Sequence, residues 1–337
     1  MTTVGLHLRP GTSVAEGVAL AQRAEAIGVH AVHGIEAIND VFVPMAAIAA
    51  ATSTIALGTY VANAYARTPQ AAAFAARSLD ELSGGRFTLG IGAGNRHVNQ
   101  WVFGLDSTRP MAKMRDYLAV LEALLTGEVG DRPEIGGPVH HVEARFVSRP
   151  ARPVPVIVAA AGPRMIELAA GASQGVGLGI LISPDHIAGD IRPRAQAAAS
   201  AAGRDPQQIR FPMAALTSVD PDDDLARARA RRGISGLFHP VPHPYYDYLL
   251  RAQGYGAVAD ALTRLAPQGQ WKEAADEIPD EVIDRLTITG TPSRAAARLG
   301  AYDGIVDEVI CLQLGSRHPD DEALFAMLEL ACTGPGT

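Results

Sequence analysis

The sequence predicts one α/β domain spanning 1–337, a (β/α)8 TIM barrel with two insertions, and three observations predict it. Strand-length apolar runs alternate with helix-period stripes along nearly the whole chain of 337 residues. That alternation implies parallel strands joined by right-handed crossovers. Eight such units follow at even spacing without a fold-back, which suits a closed ring better than a doubly wound open sheet. Hydrophobic residues make up 47% and charged residues 19%, enough for a large core and too apolar for disorder.

Residues 4–8 read as the first strand. The helix over 13–27 carries Val14, Val18, Ala21 and Ala24 on one stripe, and Gly28 stops it. The second strand spans 29–35, and Pro44 opens the next helix. The third strand spans 55–62. Thr68-Pro69 then reads as a cap with a proline at the first helical position. This helix continues through Ala76, Leu79 and Leu82, until Gly84-Gly85 supplies left-handed residues that end it. The fourth strand, 87–91, runs into Gly90, Gly92 and Gly94 at alternate positions. Met114, Leu118, Leu121 and Leu125 mark a helix over 110–125.

Residues 128–150 break the alternation, and Gly136-Gly137 predicts a hairpin insertion there. Strand five spans 154–160 and its helix opens at Gly162-Pro163; strand six spans 175–182, with a helix over 184–202. Strand seven spans 209–219. A second insertion of mixed helical segments occupies 220–286. Thr291-Pro292 caps a helix to 299, the eighth strand spans 306–314, and 320–331 reads as a closing helix.

The formal net charge of −7 argues against a nucleic-acid partner. Cys311 and Cys332 lack a CxxC arrangement, so neither a disulfide framework nor a structural zinc site is expected. Residues 46–66 are interrupted by Thr52, Ser53, Thr54, Gly58 and Asn63, which suits a helix and a strand rather than a membrane span. The opening residues carry no basic region or apolar signal core, so a cytoplasmic location is expected.

In a TIM barrel the chemistry sits on the loops after the strands' C-terminal ends. Here that rim holds His7, His33, Glu36, Tyr60 to Asn63, Gly92 to Asn95, Ala160 to Arg164, Ile182-Ser183, Thr217 and Gln313. No GxSxG, HExxH or paired-carboxylate pattern is present. Among the ten histidines, His239 and His243 are four apart, but Pro240, Pro242 and Pro244 forbid the helix that would align them as ligands. They are expected on the surface or facing substrate, and no metal site is expected. A rim this poor in acid–base groups points to a cofactor for the hard step. Alternating glycines let backbone approach a flat or anionic ligand, though they serve a plain tight turn equally well. Ala159-Ala160-Ala161-Gly162-Pro163-Arg164 ends a strand in small residues and opens a helix. Its N–H groups suit a phosphate, and the run suits an ordinary strand-to-helix loop as well.

Leu82-Ser83-Gly84-Gly85-Arg86-Phe87, followed by Leu89-Gly90-Ile91-Gly92-Ala93-Gly94, resembles the hallmark segment of the bacterial luciferase-like superfamily. The resemblance is closest to the branch that uses the deazaflavin coenzyme F420. It extends across the chain through Leu57-Gly58-Thr59-Tyr60-Val61, Pro279 to Ile283, Thr289 to Pro292 and Asp307 to Ile310. It implies a (β/α)8 barrel, with a bulge and a non-proline cis peptide at Tyr60-Val61 backing the deazaflavin ring. It implies cofactor contacts at Tyr60, Val61, Asn63, Gly92, Ala93, Gly94, Asn95 and Ala160, and a phosphate held by Ala161, Gly162, Pro163 and Arg164.

The sequence also departs from the family pattern. Some deazaflavin dehydrogenases place an acid and a catalytic histidine after the second strand, where this chain has Glu36-Ala37. Asn95 replaces a glutamate found after the fourth-strand glycines, and Asp190 stands near the place of a sugar-phosphate-binding base. A reductase therefore fits better, with Glu36, His33, His7 and Asn95 as candidates for the polar group that protonates product. The expected activity is hydride transfer between coenzyme F420 and a small organic substrate. An FMN-dependent monooxygenase is the first alternative, and a non-catalytic flavin-binding barrel the second. The resemblance also implies a homodimer through the alanine-rich helices at 46–51 and 71–76.

Overall fold

Eight parallel strands curl into a ring in a computed structural model that describes residues 2–127, 134–143, 152–313 and 321–334. They are β1 (Thr3–His7), β2 (Ala31–Gly34), β3 (Ala56–Thr59), β4 (Phe87–Gly92), β5 (Val156–Ala159), β6 (Gly175–Gly177), β7 (Pro212–Val219) and β8 (Glu308–Leu312). They lie in the order β7-β8-β1-β2-β3-β4-β5-β6. The seam between β6 and β7 is closed by the bridges Gly175–Arg210 and Leu178–Met213. There Leu178 N–H donates to Pro212 O, and Ala214 N–H to Leu178 O, each at 2.9 Å. The predicted barrel is therefore the observed one.

The units form for the local reasons the sequence offered. Ser13 caps α1 (Val14–Ala26) by accepting the Glu16 N–H at 3.2 Å. Thr68 does the same for α3 (Pro69–Leu82), whose first residue is proline. Between them, α2 (Phe42–Ala51) starts two residues before Pro44. Gly84 and Gly85 adopt φ of 63° and 95°, and a side chain at Gly85 would collide with Arg152. Arg86 explains much of the Leu82-to-Phe87 run. Its guanidinium donates to the carbonyls of Ala49, Thr52, Ile55 and Ser83 at 2.7–3.0 Å, tying the ends of α2 and α3 to the base of β4.

Three elements differ from expectation. The helix expected over 184–202 is a short turn, a π segment over Ile187–Ile191 and a helix over Arg192–Ala201. Pro193 has no N–H to donate to the preceding turn, so the backbone widens before it. A parallel strand, Ile288–Gly290, extends β7 beyond its pairing with β8; three buried residues are too short a run to read as a strand in sequence. A helix at Arg96–Trp101 follows β4, also unanticipated. The hairpin, by contrast, is present as expected, with Glu134–Gly136 paired to His141–Glu143; the rest of the 128–150 insertion lies outside the described residues.

Phe87, Leu89 and Ile91 of β4 are buried, each contributing roughly 1.5–3 kcal/mol through removal from water. The second insertion contributes helices at Asp223–Gly236, Pro244–Ala252, Gly256–Leu265, Trp271–Asp276 and Asp280–Leu286. Their apolar faces form a second core with Tyr60, Ile180, Leu216 and Ile310, over the C-terminal ends of the strands. This makes the insertion a roof over the barrel mouth.

Candidate active site

The mouth holds a cavity of about 550 Å³ bounded by strand ends and by this roof. Its lower wall comes from an interruption of β3. Thr59 Oγ donates to Gly90 O at 2.6 Å and accepts Gly90 N–H at 2.9 Å, so its hydroxyl fills the place of a ladder bond. A side chain at Gly90 would overlap the Thr59 carbonyl oxygen. The Tyr60–Val61 peptide is cis, as the family resemblance implied. The chain then pairs again with β4 through Ala62–Asn63. Tyr60 N–H donates to Gly34 O at 2.6 Å, and its hydroxyl lies 2.8 Å from the carbonyl oxygens of Leu178 and Pro212. Burial pushes its phenol well above the ordinary value, so it acts as a neutral donor spanning the β6–β7 seam.

Glu36 is buried, and its carboxylate accepts the Asn63 N–H at 2.9 Å and Arg67 Nε at 2.6 Å. Arg67 also pairs with Asp40 and lies over the Phe42 ring. Glu36 thus anchors the rejoined strand. His7 Nε2 lies 2.9 Å from Tyr60 O, and its Nδ1 lies 2.7 Å from Leu8 O. Two carbonyls favour a protonated ring, but burial outweighs them and pushes the imidazole down to about 4. Asn63 Nδ2 donates to Asn99 Oδ1 at 2.6 Å, and Asn99 Nδ2 to Ala93 O at 2.9 Å, which holds the loop after β4. In that loop Gly94 takes φ 67°, where a Cβ would come within 2.7 Å of Asn63 Nδ2. Asn95 caps the Arg96–Trp101 helix, accepting the His97 N–H at 2.7 Å.

The structure thus gathers His7, Glu36, Asn95, Tyr60, Val61 and Asn63 at one cavity. Gly92, Ala93 and Gly94 line it too, with Ala160, Ala161 and Gly162. Pro163 opens the following helix, and Arg164 on its first turn has an exposed side chain outside the cavity lining. His33 is not brought there. It lies behind the Tyr60 ring, whose centroid is 5.7 Å from its own, and lines a separate cavity of about 70 Å³. Its Nε2 lies 2.9 Å from Glu308 Oε1. Burial works to raise the Glu308 carboxyl, yet His33, His30 and Arg210 together hold it below its ordinary value. Gly58 leaves the room, since a Cβ there would lie 2.6 Å from His33 Nδ1.

Sequence reasoning missed Asn99, Arg67, Met165 and the roof residues Tyr245 and Tyr246, and left His243 between surface and substrate. Asn99 had one available signal, its place on the turn after the glycine loop. The roof had none, because only tertiary packing brings residues 243–246 over β4 and β5.

The wall of glycine and alanine around Gly92–Gly94, Ala159–Gly162 and Gly177–Gly179 admits a flat ring at close range. The helix Pro163–Ala172 begins at Gly162 without a side-chain cap, and a Cβ at Gly162 would meet nothing within 4 Å. Its first N–H groups are free of side-chain competition for a phosphate arm. These residues fit a deazaflavin nucleotide. Among the described residues there is no metal-binding cluster, and no helix long and apolar enough to cross a membrane.

A closed parallel barrel whose cavity lies at the C-terminal strand ends defines a protein of the TIM-barrel enzyme class. Within that class the chain belongs to the luciferase-like monooxygenase family, whose signature matches residues 1–308. It is 30% identical over 307 residues to a 5,10-methylenetetrahydromethanopterin reductase of Methanolobus tindarius, covering 88% of this chain and 89% of that one. Its fold superposes on a coenzyme F420-dependent tetrahydromethanopterin reductase of Methanopyrus kandleri with a TM-score of 0.75, at 22% identity over 97% and 96% of the two chains. An F420-dependent secondary alcohol dehydrogenase, solved with an F420–acetone adduct, superposes with a TM-score of 0.77 at 18% identity, covering 98% and 97%.

Proposed function

We propose that this chain is a coenzyme F420-dependent oxidoreductase, a single barrel domain carrying both insertions, acting on a small organic molecule. The observation that carries it is the shared cavity of the Tyr60–Asn63, Gly92–Asn95 and Ala160–Gly162 segments, in a chain similar to a reductase over 88% of its length. Bound deazaflavin supplies the hydride chemistry. Tyr60 and Val61 back the ring, the small residues of β4 and β5 receive its face, and Gly162 to Arg164 receive the phosphate. Glu36 keeps this bed in register through Asn63 and Arg67. His7 and Asn95 border the reacting space, His7 as a neutral ring in a dry site. The homodimer reading is supported by apolar side chains left in water on α2 and α3: Val43 is 63% exposed, Phe74 55% and Leu82 52%. Cys311 and Cys332 are free thiols, consistent with a cytoplasmic setting.

Titrating the purified protein with F420 and with FMN tests the reading. Tighter binding of F420 is expected, followed by oxidation of reduced F420 by members of a panel of enones and imines in stopped flow. Preference for FMN would favour a monooxygenase, and inertness towards the whole panel a binding protein.

A further inference from the structure

The roof presents three contiguous aromatic rings to the cavity. The His243 ring centroid lies 4.9 Å from that of Tyr246 and 6.2 Å from that of Tyr245, and the two tyrosines lie 5.3 Å apart. All three line the same cavity as the glycine wall. Gly179 lets this shelf lie close to the loop after β6, since a Cβ there would come within 3.2 Å of the Tyr245 hydroxyl. His243 Nδ1 accepts the Tyr245 N–H at 3.3 Å, capping the helix Pro244–Ala252. A neutral ring that accepts at Nδ1 carries its proton on Nε2. Burial, aided by the electrostatic influence of His97, pushes this imidazole down to about 4, so the ring is neutral near pH 7. Charge on the lining is equally telling. Among the described lining residues there is no Lys or Arg, and the single carboxylate, Glu36, is paired with Arg67.

We propose that the His243–Tyr245–Tyr246 shelf is the substrate seat, and that His243 Nε2–H donates a hydrogen bond to the carbonyl oxygen or imine nitrogen of an uncharged, planar substrate. The proposal rests on the oxidoreductase reading, because it gives the glycine wall to the cofactor and the aromatic shelf to substrate. Rings of this kind gain by stacking and by edge contacts with a flat ligand. A half-buried donor left unpaired costs about 1–3 kcal/mol, so a ligand of the same shape without an acceptor is rejected. An anion meets no positive side chain here and loses its hydration without return.

The test uses 15N-histidine-labelled full-length protein, with and without F420, and three probes: acetophenone, ethylbenzene and benzoate. Long-range 1H–15N correlation, with His243 assigned by its loss in His243→Gln, is expected to show the Nε2–H tautomer at pH 7. Acetophenone should shift the Nε2 signal and bind about fivefold tighter than ethylbenzene, the worth of one neutral hydrogen bond. Benzoate should do neither. In His243→Phe the acetophenone advantage should vanish, with folding confirmed by circular dichroism; if that variant does not fold, the wild-type tautomer and probe shifts decide. An Nδ1–H tautomer, an undiminished advantage in His243→Phe, or preference for benzoate overturns the seat. Failure of F420 to bind, with the His243 shifts intact, overturns the cofactor reading instead.

Discussion

The cavity has two walls made in different ways. The strand wall, Thr59 to Asn63 facing Gly90 to Asn95, is backbone, glycine and hydrogen bonds between neighbouring strands. The roof wall, His243 to Tyr246, is side chains delivered by an insertion whose helices pack a core of their own. Each wall holds a histidine pushed down to about 4. Their partners have little in common: His7 touches the carbonyls of Leu8 and Tyr60, whereas His243 caps a helix and faces His97. Burial is the largest cause in both. Dryness of the cavity, rather than any particular neighbour, therefore sets the state of both rings.

The sharpest way to break the strand wall alone is Gly90→Val. The new side chain overlaps the Thr59 carbonyl oxygen, and backbone on both sides is held in the ladder, so it has nowhere to move. A loss of about 4 kcal/mol or more of stability is expected, in the range of a severe core clash. Urea unfolding measures it, and a variant within about 1 kcal/mol of wild type would show that the bulge does not depend on glycine.

The same contrast explains what was legible in the sequence. Caps such as Ser13 and Thr68, the stops Gly84-Gly85 and the glycine alternation of β4 are local devices, so they announce the barrel units and the strand wall residue by residue. His33 was misplaced because strand position alone does not tell which side of the Tyr60 ring a side chain takes. Glu36 was read as a candidate proton group, yet its carboxylate is engaged by Asn63 and Arg67, which lie 27 and 31 residues further on. The roof was illegible for a stronger reason. Its amphipathic helices say that they pack, but their placement over the mouth depends on a core assembled from Tyr60, the loop after β6, β7, β8 and the insertion together.

A pH series compares the two histidines directly. A base whose folded pKa lies below its unfolded value favours the neutral state in the fold. Its stabilising share is complete above 6.5 and is lost as pH falls towards 4. For fully buried His7 the full difference corresponds to about 3 kcal/mol. Wild-type stability in urea should therefore decline between pH 6.5 and 4, and His7→Phe should decline less steeply. His243 contributes to the remaining slope, alongside His140 and His186, which burial also lowers, and the slope should fall again when His243 is replaced as well, with the two effects adding if the walls are independent. A slope unchanged in His7→Phe would show that the ring is already charged between the two carbonyls.

Tyr60→Phe should have the smallest effect, and it sharpens the comparison because this hydroxyl leaves the strand wall to reach the seam under the roof. The phenol contacts the carbonyls of Leu178 and Pro212. Both carbonyls keep a backbone partner without it: Leu178 O accepts Ala214 N–H, and Pro212 O accepts Leu178 N–H. No buried acceptor is orphaned, and the aromatic ring that separates the cavity from the His33–Glu308 pair is retained. Only the net worth of one hydrogen bond is lost, about 1 kcal/mol. A loss of about 3 kcal/mol or more would mean that the seam opens when the hydroxyl goes, making Tyr60 the clasp of the barrel rather than an addition to a seam the backbone already closes.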